Sequence, residues 1–409
     1  MATDITALLI RYATATPDAT ARDIMRLSLL DWAACGIAGR AEGAFDGWSA
    51  TLTTQGPATR FDGACSTAAE AALVNGTLSH ALDYDDTHFD HIGHPSVVVC
   101  AAALAVGEAQ NAPLDAIIDA ALVGAEASIA AGLWLGRAHY QIGFHQTATA
   151  GAFGATVSAA RLLGLTPART RAALGLCATM ASGLKSQFGT MGKPLNAGLA
   201  ARTGVEAAHW AQAGMTAPDD GLHGFGDTHH GAGATVAFDW RMPRVSHKFH
   251  ACCHGLHACL EALRDAPLAQ AQHISVHTHP RWLTVCNQPD PDTGLGAKFS
   301  YRQVIAMAAH GHDTGDIAAF SDACARDRNL VAYRARVSVQ GDDSLTEMQA
   351  RVIVDGQRFD HDLDAALPLD ARKTRIQQKA RALVGARADD LWAAITTGDR
   401  DTFAQLLTS

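Results

Sequence analysis

The sequence predicts a mostly α-helical protein: a large all-helical domain built from residues 1–240 and 371–409, with a smaller α+β domain over residues 241–370. Two observations predict this. Ala, Leu and Gly dominate long stretches of the first half at helical periodicity, whereas after Arg241 apolar and polar residues begin to alternate. Length agrees, since 409 residues are about two to three times a typical domain.

In chain order, residues 18–31 open on a start signal at Asp18 and carry a periodic apolar face, which predicts a long helix. Helices follow over 67–82, 97–110, 114–135, 147–163 and 166–182, with turns marked by Gly143 and Gly164. Small residues this frequent let helices approach closely. Around Ala217 the texture changes, and Pro218-Asp219-Asp220-Gly221 with the Gly-rich stretch through Gly233 reads as a long loop. Residues 273–278, 333–340 and 349–354 alternate as half-exposed strands, and Asp355-Gly356 is a hairpin signal. Helical patterns lie between them at 301–309 and 317–326. From Asp370 helix returns, expected to pack on the first domain. No internal repeat is evident.

Composition narrows the function. Hydrophobic content of 48% with 18% charged residues supplies a large core, and no apolar run reaches the roughly 18 residues of a membrane span, so a soluble chain is expected. Met1-Ala2-Thr3-Asp4-Ile5 has no basic or apolar leader character, and nine scattered cysteines in apolar context read as reduced thiols. Both point to the cytoplasm. A net charge of −9 without a basic stripe argues against nucleic-acid binding.

Four segments concentrate chemistry, each placing His, Lys or Tyr on a turn beside an apolar helix. The densest is Asp83-Tyr84-Asp85-Asp86-Thr87-His88 followed by His94-Pro95-Ser96, a costly set of proton-transfer groups to bury. The second runs from His139 to Thr147, where a turn presents Tyr140 and His145 before a helix whose first amides favour an anion. The third, 188–196, sets Lys193 on a rigid turn with Lys185 as the other nearby cation. The fourth is Lys248-Phe249-His250-Ala251-Cys252-Cys253-His254-Gly255-Leu256-His257. None contains a nucleophile elbow or phosphate loop.

These four segments, in this order, resemble the MmgE/PrpD family, which includes 2-methylcitrate dehydratase, cis-aconitate decarboxylase and iminodisuccinate epimerase. The resemblance covers nearly the whole chain, including His279-Pro280-Arg281-Trp282 and Lys298-Phe299-Ser300, and its most specific part is Asp-Tyr-Asp-Asp-Thr with His-Pro-Ser. It implies that the α+β domain is a lid, that the protein is a homodimer, and that metal-free and cofactor-free chemistry on di- or tricarboxylates occurs where the domains meet. Carried over, it puts Asp83, Thr87 and His94 in the pocket with His145 and Lys193 beside them, and Lys248 at the start of the lid. Catalysis falls to Asp83, His94, Tyr140, His145 and Lys248, and substrate binding to Thr87, Lys193, Cys253 and His257. Five residues after the lid lysine the decarboxylase has histidine, whereas this chain has Cys253, as the epimerase does, and Tyr140 resembles the epimerase's tyrosine. The expected activity is a dehydratase-like lyase, with epimerase and then decarboxylase as alternatives, and a binding protein without turnover as the remaining class.

Structural readings stand beside these. Asp85 and Asp86 suit a helix cap or a solvated loop, His80, His88 and His91 a surface or structural role, Cys252 and Cys253 small core positions, and Lys193 an ordinary loop. His88, His91 and His94 are evenly spaced, and His250, Cys253, His254 and His257 fall at helical offsets, but neither set matches a closed zinc pattern and HExxH is absent, so no metal is expected.

Overall fold

The computed structural model describes residues 4–231, 234–365 and 367–408. Met1 to Thr3, used for the leader expectation, and Gly233, which closes the predicted loop, lie outside them. The chain forms two compact units: one runs to His247 and resumes at Ile376, and the other is Lys248–Arg375. It is mostly α with a smaller α+β C-terminal part, as the sequence predicts.

The first unit begins with α1 (Ile5–Thr14) and α2 (Ala19–Ala41), opened by Asp4 and Asp18, whose carboxylates accept from the amides of Ala7 and Ala21 at 2.9 Å. A turn, α3 (Asp46–Ser49), leads to the two-residue strands β1 (Ala58–Thr59) and β2 (Cys65–Ser66), so this unit is not wholly helical. Then come α4 (Ala68–Ser79), α5 (Pro95–Ala109), α6 (Leu114–Ile142), α7 (Gln146–Leu162), α8 (Pro167–Ala178) and α9 (Gly192–Gln212). Small residues set the spacing: a Cβ on Gly76 of α4 would sit 2.9 Å from the Cα of Gly198 on α9. The predicted loop after Ala217 contains a further helix, α10 (Gly221–Thr228), whose Leu222 and Phe225 are buried. Here an apolar pair at i and i+3 outweighed glycine's cost in a helix.

Helix α6 is long and apolar enough to cross a membrane by length and composition, although charged and polar residues interrupt it, which corrects the expectation drawn from unbroken apolar runs. Yet 83% of its most apolar 18-residue stretch is buried inside the protein, the position of a core helix. Its one buried carboxylate, Glu126, accepts from the backbone amides of Arg241 and Met242 at 2.7 Å. Residues 241–247 are thereby tied to the first unit.

The second unit holds α11 (His257–Ala262), β3 (Ile274–Thr278), α12 (Pro280–Val285), α13 (Gly294–Ala297), α14 (Tyr301–Ala309), α15 (Asp322–Ala325), α16 (Arg328–Arg334), β4 (Val337–Gly341), β5 (Gln349–Val354) and β6 (Gln357–Asp362). The strands order as β4-β3-β5-β6, with β3 parallel to β4 and the other pairs antiparallel. Asp355 (φ 47°) and Gly356 (φ 88°) close the β5–β6 hairpin with the two positive angles that a tight turn requires. Two expectations change. Residues 317–326 form a 3₁₀ turn and the short α15, because Asp316 and Ser321 each cap afresh, and 333–340 begins as the end of α16, started by the Asp327 cap. Helix α17 (Leu369–Val384) crosses back, and α18 (Arg387–Thr397) and α19 (Arg400–Thr408) complete the first unit.

Candidate active site

The loop between α4 and α5 carries the first cluster. Asp83 takes a left-handed backbone (φ 51°), tolerable for Asp because its short polar side chain bonds locally, and the chain turns back on itself through paired backbone bonds between His88 and Gly93. That fold sets His94 immediately before Pro95, the first residue of α5, with its amide bound by Thr147 Oγ1 at 3.0 Å.

Asp85, 1% exposed, lies between two imidazoles: His80 Nδ1 at 2.9 Å from Oδ1 and His94 Nδ1 at 2.9 Å from Oδ2. Burial works to raise its carboxyl, but the two imidazoles outweigh burial and hold it far below the usual range. Asp83 forms an ion pair with Lys193, Nζ lying 2.6 Å from Oδ1, and His94 Nε2 lies 3.4 Å from the same oxygen. The result is a chain His80–Asp85–His94–Asp83–Lys193, buried at one end and partly open at the other, where the Asp83 side chain is 40% exposed. Burial lowers His94, and Asp85 works against that.

His145 caps α7 and is fully enclosed beside His80, the rings 5.9 Å apart, with Asn196 Nδ2 at 3.3 Å from Nδ1. Burial first, then His80 and Lys193, push it well below its ordinary value, so its imidazole is neutral. Lys193 belongs to the first turn of α9, rather than to the rigid turn predicted, and a helix fixes its direction better than a loop. Tyr140 lies in the last turn of α6; Lys185 Nζ donates to its carbonyl at 2.8 Å and sits 3.9 Å from its ring centroid. Thr87 pairs through its backbone with Ser246, and its hydroxyl donates to the Ser246 carbonyl at 3.4 Å.

Sequence reasoning passed over His80 and Asp85. Neither is solvated: Asp85 is the centre of the cluster and His80 its buried end. Asp86 does cap a helix, accepting from the Ser96 amide at 3.3 Å, but it is buried and also accepts from the hydroxyls of Ser96 (2.5 Å) and Ser28 (2.7 Å). Burial pushes it up to about 7. His88 and His91 are buried and brought by burial to about 4 and about 3, which suits a structural role. A signal existed for His80: five residues separate it from Asp85 across a helix end, close enough for one carboxylate to reach both His80 and His94.

The remaining site candidates lie in the second unit. Lys248 is its first residue, Cys253 is half-buried with its amide on the Lys298 carbonyl at 2.8 Å, and Cys286 bonds its thiol. His257 is enclosed with His254 and His250 at ring distances of 4.6 and 5.1 Å; burial and these neighbours push it well below its ordinary value. A cavity of about 500 Å³ in this unit is lined by His250, Arg264 and Thr314 among apolar residues, but His250 and Thr314 are bonded to each other at 2.7 Å.

His80, Asp83, Asp85 and His94 each offer a ligand atom within 4.8 Å of the others, a set able to hold a metal ion. The ammonium of Lys193 already stands on Asp83, and both imidazoles on Asp85. Carboxylates and imidazoles in alternation beside an ammonium are groups that can carry proton transfer.

A helical unit presenting this cluster and an α+β unit opening on Lys248 correspond to two known domains. The MmgE/PrpD N-terminal domain matches residues 3–234 and the MmgE/PrpD C-terminal domain matches residues 249–393, so the chain belongs to the MmgE/PrpD family. Among individual proteins it is 28% identical over 281 residues to the cis-aconitate decarboxylase of Aspergillus terreus, covering 58% of this chain and 56% of that one. It is 33% identical over 150 residues to the cis-aconitate decarboxylase of Homo sapiens, covering 36% and 31%. These matches span about half or less of the relatives' length.

Proposed function

We propose that the protein is a lyase of the dehydratase type, acting without a cofactor by proton abstraction next to a carboxylate of a hydroxylated di- or tricarboxylic acid. The observation that carries this reading is His94 between Asp85 and Asp83. With the proton on Nδ1, beside Asp85 Oδ2 at 2.9 Å, the lone pair is on Nε2, on the side of Asp83 and Lys193. That nitrogen removes the proton on the carbon next to the carboxylate, Asp85 steadies the imidazolium, and Lys193 offsets the charge gathering on the substrate carboxylate. The C–H and C–O bonds break, the C=C bond forms, and the same imidazolium returns its proton to the departing hydroxyl as water. Asp83 holds Lys193 until substrate competes for it. His145, neutral, donates or accepts a hydrogen bond without changing the charge. Lys248, Cys253 and His257 are assigned to the same reaction by the resemblance alone. The same reading has the protein acting as a homodimer in the cytoplasm, with a net charge of −9 setting it apart from nucleic-acid binders.

Decarboxylation is the second reading, favoured by the relatives' names. Incubation with citrate, 2-methylcitrate, cis-aconitate and iminodisuccinate in D₂O, followed by proton NMR, separates the outcomes. An alkene from a hydroxy acid supports the dehydratase, and CO₂ loss from cis-aconitate puts the second reading in its place. Inversion of a stereocentre with deuterium uptake and no alkene, abolished in Tyr140→Phe, would make the protein an epimerase. Tyr140→Phe should otherwise keep a measurable share of elimination activity, because Lys185 holds this residue through its carbonyl and ring face. Silence towards all four acids removes this substrate class.

A further inference from the structure

The chain passes between the two units twice, after His247 and before Ile376, and near both passages a side chain is held by the same helix. Ser28 on α2, wholly buried, has its hydroxyl 2.7 Å from Asp86 Oδ2 and 3.0 Å from His247 Nε2. One turn further along α2, Asp31 forms an ion pair with Lys379 at 2.6 Å, and Lys379 donates to the Tyr84 carbonyl at 2.5 Å. So Ser28 joins the outgoing passage to Asp86, and Asp31 joins the returning one to the residue before Asp85. The mechanism above uses none of these five side chains. A buried hydroxyl between a carboxyl and an imidazole is an expensive way to fill space, since every one of its partners has been stripped of water.

We propose that Ser28 is a positioning residue: by bridging Asp86 and His247 it fixes the backbone of Ser246 and His247 against the acidic loop, and so fixes the point from which Lys248 departs. Asp31 with Lys379 does the same for the returning passage. The functional half rests on Lys248 serving the reaction, as proposed above. The anchoring half stands on the bonds alone, including the paired Thr87 and Ser246 backbones at 2.9 and 2.8 Å.

The test uses the full chain as wild type, Ser28→Ala, Ser28→Thr, Lys248→Ala and the Ser28→Ala/Lys248→Ala double variant. Ser28 is chosen over Asp31 or Lys379 because removing either of those strands a buried charge and risks unfolding. Deuterium exchange of peptides spanning residues 244–249 should be about tenfold faster in Ser28→Ala, with the melting temperature little changed and Ser28→Thr restoring protection. Unchanged exchange overturns the anchor. On the acid turned over in the NMR panel, Ser28→Ala should lower kcat/KM about tenfold in the wild-type background and leave it unchanged in the Lys248→Ala background, because a residue acting through Lys248 has nothing left to act on. Additive losses overturn the positioning role. Full activity of Lys248→Ala would instead sink the assignment of that lysine, while the exchange data still decide the anchor.

Discussion

Asp85 in the first unit and Glu261 in the second are both buried carboxylates that burial works to raise, and both are held well below the usual range by partners that include an imidazole. The partners differ in kind. Glu261 meets His250 at 3.0 Å and the guanidinium of Arg375 at 2.9 Å, a cation that never loses its proton. Asp85 meets only His80 and His94 among the side chains described around it, so its charge is balanced only as far as an imidazole takes up a proton. A permanent cation makes a fixed joint. Two imidazoles make a carboxylate whose energy depends on where a proton is, which is what an acid–base site needs.

The sharpest way to break this comparison is to neutralise each carboxylate. Asp85→Asn should lower kcat/KM by about 100-fold or more, since it takes away the carboxylate that steadies the His94 imidazolium and a positioned acid–base group contributes roughly 10²–10⁴-fold. Glu261→Gln should lower the melting temperature, breaking a buried pair being worth about 3–5 kcal/mol, yet change kcat/KM by no more than about threefold while the protein stays folded. Equal kinetic losses in both variants would show that the two carboxylates do the same work.

Next in size come the lysines. Lys193→Ala should lower kcat/KM by about tenfold or more, as a charge-assisted hydrogen bond contributes roughly 1.5–3 kcal/mol. Lys248→Ala should do likewise. Wild-type kinetics in both would take ammonium groups out of the reaction.

A smaller effect concerns pH. Asp86, pushed up to about 7 by burial, keeps its proton in the folded chain where an unfolded Asp, at about 3.9, has lost it. Between those values the unfolded state binds fewer protons, so this group's contribution to stability falls as pH rises from about 4 to about 7. His88 at about 4 and His91 at about 3 have the opposite sign: the unfolded imidazoles bind protons first, so their contribution falls as pH drops below about 6.5. Melting curves of Asp86→Asn minus wild type isolate the first effect. The difference should move in favour of the variant by several degrees from pH 4.5 to pH 7, and a flat difference would mean that Asp86 titrates alike folded and unfolded.

Much of this was legible in the sequence, for identifiable reasons. Helical periodicity and caps such as Asp18 marked most helices of the first unit, and Gln349–Val354 with Asp355-Gly356 marked the hairpin. The reading stopped where tertiary contact overrides local pattern. Leu222 and Phe225 made a helix of a Gly-rich stretch by burying one face, which no window over polar neighbours reveals. At the site, Asp83, His94 and Lys193 were legible by motif as pocket residues, whereas His80 lay outside the motif and Asp85, inside it, read as a cap or solvated residue, because their significance lies in one carboxylate facing two imidazoles across a bend. Ser28 and His247, 219 positions apart, had no sequence signal at all.

The smallest expected effect is that of a chelator, and it tests whether the cluster is a proton-transfer device at all. His80, Asp83, Asp85 and His94 form a set that zinc would fit by residue type, with ligand atoms within 4.8 Å of one another. To enter, a metal would have to displace Lys193 from Asp83, where it stands at 2.6 Å, and both imidazoles from Asp85. Two like cations competing for the Asp83 carboxylate repel each other, so a metal there and Lys193 in its present place exclude one another. Dialysis against a strong chelator should therefore leave kcat/KM unchanged, and elemental analysis should find well under one metal per chain. Lys193→Met sharpens the result, because it vacates the cation's place without adding charge: added zinc should bind the variant more tightly than the wild type. Stoichiometric metal in the wild type, with turnover lost on chelation and regained with zinc, would turn Asp85 into a ligand and end its contrast with Glu261.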